Sequence, residues 1–167
     1  MRTEWIQIIV ASIILLAGAI DDLRSRKVHN SLILIAAGAA LISAALLGGL
    51  VGVLQGFLGL SMAFAVCWPL VVIGIIGAGD MKLLMAFGLA TTWIASFQVI
   101  VFALIWGAIF GVILAILKGE ALQVLKNLKA IVLRQTGGQP ISIHKIPFTI
   151  ALIFGWLSFL KYDGVRL

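Results

Sequence analysis

Residues 83–117, LLMAFGLATTWIASFQVIVFALIWGAIFGVILAIL, hold no charged side chain anywhere along their length. As one helix rising about 1.5 Å per residue, this stretch would be about 52 Å long. The hydrocarbon core of a bilayer is only about 30 Å thick. The stretch is therefore too long for one span and reads as two helices with a turn inside 91–96. Further apolar runs cover 5–20, 31–47, 50–76 and 146–160. Gly48-Gly49 supplies a tight turn between the second and third helices. The expected fold is all-α, a polytopic membrane protein with six transmembrane helices.

Composition agrees. The chain of 167 residues is 63% apolar and 11% charged, and its mean hydropathy is +1.23. Soluble domains run near 45–50% apolar and about 25% charged. A water-soluble globule and a disordered chain are both excluded on this ground. One cysteine excludes a disulfide scaffold. With no Cys pair and no Cys/His cluster, no structural zinc site is encoded, and no cofactor is implied. Cys67 lies inside an apolar run and reads as a small core residue. The first apolar run is followed by Asp21-Asp22, not by a small-residue cleavage site, and reads as a retained helix.

The net charge of +6 does not point to a nucleic acid partner, because the basic residues sit between apolar runs and set topology. Arg24, Arg26 and Lys27 follow the first helix, and Lys82 follows the third. Lys118, Lys126, Lys129, Arg134 and Lys145 lie between the fifth and sixth. These nine share one side, and only Arg2, Lys161 and Arg166 fall on the other. The positive-inside rule places the nine in the cytoplasm and both termini outside. The charge pattern thus predicts a multi-pass protein with a cytoplasmic face and both termini on the other side.

Residues 118–145 form the one sizeable segment outside the spans. Ala121, Val124/Leu125, Leu128 and Ile131/Val132 recur at helical spacing beside Lys126 and Lys129, which predicts an interfacial amphipathic helix. Gly137-Gly138-Gln139-Pro140 ends it. Without an internal repeat or a second soluble unit, residues 1–167 read as a single membrane-embedded domain.

Only six acids are present. Glu4, Glu120 and Asp163 fall in loops or near ends, where a solvated charge needs no further role. Asp21 and Asp22 close the first helix, and Asp80 opens the fourth, at the same cytoplasmic face. An ionisable group at membrane depth is costly and marks a functional site by default. The plainer reading of Asp80 is a helix cap. Its setting, Gly77-Ala78-Gly79-Asp80, adds to the functional one: Gly77 and Gly79 let the chain bend and let another backbone approach. Two close carboxylates tend to share one proton. One can then take a proton from water while the other polarises a peptide carbonyl. That is aspartyl-protease chemistry, which needs no metal.

Three stretches resemble the prepilin peptidases, the type IV leader peptidases among the Gly-x-Gly-Asp membrane aspartyl proteases. Residues 22–30, DLRSRKVHN, look like a first motif in which an aspartate precedes a basic loop ending in Ile-Pro-Asn. Residues 77–84, GAGDMKLL, look like the second, Gly-x-Gly-Asp-x-Lys-Leu. Lys145-Ile146-Pro147-Phe148 resembles the Lys-Ile-Pro-aromatic stretch that opens the last helix. The resemblance implies that Asp22 and Asp80 are the catalytic aspartates. Asp22, not Asp21, stands at the motif distance from Val28 and Asn30, and adjacent helical residues point about 100° apart. Supporting roles fall to Gly77, Gly79, Lys82 and Asn30. Asn30 caps helix two or orders the loop. Lys82 snorkels toward the interface or serves as counter-ion to a nearby carboxylate. The implied substrate is a prepilin or pseudopilin precursor, cut at the cytoplasmic face between a basic leader and its apolar helix.

Two departures stand out. His29 occupies the place of the family's proline. It is either a tolerated loop substitution or a titrating group near the dyad. The chain also lacks the cysteine-rich cytoplasmic segment of the bifunctional members. It therefore resembles the short branch serving Flp-type (tight-adherence) pili, without N-methyltransferase activity. Two other classes remain open from the residues themselves. One is a small proton- or ion-coupled transporter using the same aspartates, although no second Gly-x-Gly-Asp copy is present. The other is an assembly subunit whose acids only cap helices.

Overall fold

A computed structural model describes residues 2–25, 27–117 and 148–162. The predicted amphipathic segment at 118–145 and Pro147 lie outside the described residues. Within them every regular element is an α-helix: α1 (Arg2–Ser25), α2 (Asn30–Ile73), α3 (Ala78–Ala90), α4 (Trp93–Leu117) and α5 (Phe148–Tyr162).

At 44 residues, α2 would measure about 66 Å if straight. It is not straight. Gly49 leaves the helical region with φ 56° and ψ −142°, a conformation open almost only to glycine. The chain folds back there, and the Gly52 Cα comes against the Ala44 carbonyl. The two limbs, 30–48 and 50–73, are the second and third helices expected around Gly48-Gly49. The second limb stops earlier than the apolar run does. Gly74 takes a left-handed φ of 84°, and the Gly74 and Ile75 N–H groups bond back to Val71 and Leu70 carbonyls at 3.0 and 2.8 Å. This is a Schellman C-cap. Ile75 and Ile76 therefore belong to the turn that leads into α3.

The long run at 83–117 does split, at Thr91-Thr92. Thr91 ends α3, its hydroxyl donating to the Phe87 carbonyl at 3.1 Å. Thr92 starts α4, its Oγ1 accepting the Ala95 N–H at 3.3 Å as an N-cap. Two adjacent threonines thus stop one helix and begin the next.

The shortest of these helices is the most deeply buried. In α3, Met81, Leu83, Leu84 and everything from Ala86 to Ala90 are shielded. Gly56 and Gly59 of α2 face Leu89 and Gly88 of α3 at backbone contact distance. The Gly18 Cα of α1 receives the Leu83 side chain. Phe87 meets the Trp156 indole of α5 edge-on, centroids 5.2 Å apart. Small residues let backbones close in where lipid gives no hydrophobic drive between helices. Gly155 does the same for α5 against Val99 and Ala103 of α4. Gly107 packs beside Phe148 and Ala151, but Gly111, which its i+4 spacing makes a second packing position, faces open space.

Outward, the large apolar side chains stay uncovered: Leu34 is 77% exposed, Leu46 80% and Leu117 75%. Trp5 is also on this outer surface, whereas Trp156 is buried in packing. The segments Trp5–Ser25, Asn30–Ile73 and Trp93–Leu117 are long and apolar enough to cross a bilayer. An apolar interior inside an apolar exterior defines an all-α membrane protein.

Candidate active site

Asp22 extends the inward stripe of α1. Leu15, Gly18 and Ala19 are buried one and two turns before it, and i, i+3 and i+4 positions share a helix face. Its Oδ2 accepts a hydrogen bond from the Thr149 hydroxyl of α5 at 2.8 Å.

Asp80 reaches the same end of the helices from α3. Gly77 is the N-cap, extended at φ −77° and ψ 149°, and Asp80 is three residues on. Its Oδ2 accepts the Gly77 N–H at 3.3 Å. This is the reciprocal half of a capping box, a carboxylate bonded to a free N–H at a helix N-terminus. The cap is therefore real, and it also sets where the carboxylate points. A Cβ on Gly77 would stand 3.0 Å from that oxygen. Leu83, one turn below Asp80, is the side chain that seats on Gly18, one turn below Asp22. This contact sets α1 beside α3, so that Asp22 and Asp80, each one turn beyond it, lie at the same end of the two helices. No direct hydrogen bond joins the two carboxylates.

Asp21 points elsewhere. Its Oδ2 accepts the His29 backbone N–H at 2.7 Å, and its Oδ1 lies 2.8 Å from His29 Nδ1. His29 is thus tied to Asp21 and makes no bond to Asp22 or Asp80. The tie closes the short connection between α1 and α2. Val28, in that connection, rests against the Gly79 Cα, and an added Cβ there would lie 3.5 Å from Val28 Cβ. That is ordinary van der Waals contact, so the approach of Val28 does not by itself require glycine at position 79.

The other two supporting residues meet each other. Lys82 Nζ donates to Asn30 Oδ1 at 3.0 Å, joining α3 to the start of α2 at the exposed rim. Asn30 does not cap α2: His29 holds the N-cap position, extended and without a side-chain cap bond. Nor does Lys82 simply point away, since the amide oxygen of Asn30 takes its ammonium. Thr149 was not among the residues singled out from sequence. The signal available was a polar residue at the first turn of the last apolar run, at the membrane depth of the aspartates.

These features define a membrane protein with two carboxylates at the same end of neighbouring helices. The chain belongs to the type IV leader peptidase family, whose model matches residues 9–115. It is a peptidase of that kind. The match takes in Asp22 and Asp80 and stops short of α5. No curated protein and no solved structure matches the chain.

Proposed function

We propose that this chain is an aspartic endopeptidase that removes the basic leader from pilin-like precursors. The observation that carries the reading is that the Gly18–Leu83 contact brings Asp22 and Asp80, from helices far apart in sequence, to the same end of α1 and α3, while neighbouring Asp21 is turned aside to His29. Family membership supports the peptidase class.

The chemistry follows from two carboxyl groups sharing one proton. The ionised member takes a proton from water as the water oxygen attacks the scissile carbonyl carbon. The protonated member hydrogen-bonds the carbonyl oxygen and gives up its proton as charge develops there. The tetrahedral intermediate then collapses. The C–N bond breaks, a proton passes to the departing amine, and the leader leaves with a new carboxylate. The trimmed precursor keeps a new amine. The expected setting is the bacterial inner membrane, crossed several times, with both termini outside and the aspartates at the cytoplasmic face. The Flp-type branch and the absence of methyl transfer are part of the same reading.

Co-expression with a tagged Flp-type prepilin tests it. The expected result is a leader-removal shift on a gel, with a trimmed N-terminus whose mass shows a free, unmethylated amine. Uncut precursor in the presence of well-expressed wild-type protein contradicts the substrate assignment. A mass one methyl group higher contradicts the peptidase-only reading.

A further inference from the structure

Thr149 is the only hydroxyl that reaches either carboxylate of the pair among the described residues. It is 1% exposed and donates to Asp22 Oδ2 at 2.8 Å. It stands on α5, outside the matched residues 9–115. Its placement is held from both sides. Further along α5, Trp156 Nε1 donates to Ser12 Oγ of α1 at 2.8 Å. On the α4 side, a Cβ at Gly155 would fall 2.8 Å from the Ala103 nitrogen and 2.9 Å from the Val99 oxygen. The helix is therefore pinned to α1 at two heights and seated on α4, so the hydroxyl is delivered to Asp22 by rigid packing.

A carboxylate has two oxygens, and an O–H donor on one fixes the plane of both. Asp22 Oδ2 is occupied by Thr149, while Oδ1 takes no bond from any described residue. Asp80, by contrast, is held only by the N–H of its own helix start, at 3.3 Å. The two members of the pair are thus anchored unequally.

We infer that Thr149 is a positioning residue for the peptidase reaction: its hydroxyl engages Asp22 Oδ2, fixes the carboxylate, and leaves Oδ1 as the oxygen that takes the proton from water. The inference rests on the dyad reading above. It also gives α5 a part in the active site.

The test is cleavage of the same tagged prepilin by purified protein in detergent, comparing wild type with Thr149→Val and Thr149→Ser. Valine keeps the shape and removes the hydroxyl; serine keeps the hydroxyl. Loss of an orienting bond to a reacting group predicts a kcat lower by about ten- to a hundredfold in the valine variant, with KM within about threefold. Thr149→Ser retains kcat within about threefold of wild type. Wild-type kcat in Thr149→Val overturns the inference. So does a raised KM at unchanged kcat, or a serine variant as slow as valine, since size would then matter and not the hydroxyl. If the valine variant does not accumulate as folded protein, Thr149→Ala against Thr149→Ser carries the same comparison. Asp22→Asn, assayed alongside, separates the two levels: retained cleavage there refutes the dyad itself, whatever Thr149 does.

Discussion

Gly88→Ala would place a Cβ 2.5 Å from the Gly59 carbonyl oxygen, 2.6 Å from its carbon and 2.9 Å from the Leu60 nitrogen. Ordinary contact begins near 3.4 Å, so the shortfall at the oxygen is about 0.9 Å. All three obstacles are backbone, which cannot swing away as a side-chain tip can. α2 and α3 must therefore part by about 1 Å. Overpacking of this kind costs about 1–3 kcal/mol, here toward the upper end because both sides are rigid. Alanine returns at most about 1 kcal/mol through its better helix propensity, so the net effect is destabilising by about 2 kcal/mol. The functional cost is larger in proportion. α3 carries Asp80, and a displacement of about 1 Å between reacting groups costs about a hundredfold in rate. The assay is prepilin cleavage together with thermal unfolding in detergent, with Gly111→Ala as the control. Gly111 has nothing within 4 Å of its ideal Cβ, so that variant should keep its rate and its Tm. A Gly88→Ala protein with wild-type rate and Tm would refute the reasoning.

Gly77→Ala keeps an extended backbone that alanine accepts, but its Cβ presses on Asp80 Oδ2 from 3.0 Å. Cleavage should fall about tenfold while Tm changes little; an unchanged rate would show that the carboxylate has room to give. Gly49→Ala forces a side chain into the fold-back at φ 56° and should cost about 1–3 kcal/mol, seen as a lower Tm in detergent. His29→Ala should leave the pH dependence of cleavage unchanged, because the ring is tied to Asp21 and not to the pair; a lost inflection would return His29 to the active site. Because a carboxylate pair activates water without a metal, cleavage should continue at full rate in excess chelator, and inhibition reversed by a divalent cation would contradict the mechanism.

The fold was largely legible because its signals are local. Length against bilayer thickness divided 83–117, and the Thr91-Thr92 pair supplied both the stop and the start. Gly48-Gly49 marked the hairpin because glycine alone accepts the conformation Gly49 adopts. The end of α2 was misplaced by three residues, at Ile76 instead of Ile73, because hydropathy does not register a Schellman cap and Gly74 sits inside an apolar run. The candidate site was legible in part. Asp22, Asp80, Gly77 and Gly79 stood out because acids and paired glycines are rare against an apolar background. The partners of Asp22 did not, because the Thr149 contact joins the two ends of the chain and depends on how α5 packs. The residue type of Asn30 suits either a cap or an ordered loop; the backbone at His29 takes the cap position, and the amide is left for Lys82. The Gly18–Leu83 seat beneath the carboxylates depends on which helices become neighbours, and no spacing rule along one helix reports that.

The central claim is that Asp22 and Asp80 act together while Asp21 does not. Purified wild type, Asp21→Asn, Asp22→Asn and Asp80→Asn, at matched folded concentration, should be compared for the initial rate of prepilin cleavage. The account predicts loss of cleavage to background in Asp22→Asn and in Asp80→Asn. An asparagine amide oxygen at position 80 can still accept the Gly77 N–H, so that loss would not be one of folding. Asp21→Asn should keep cleavage within about threefold of wild type, its bonds to His29 lying at an exposed loop and contributing little. Cleavage surviving in either Asp22→Asn or Asp80→Asn would contradict the account.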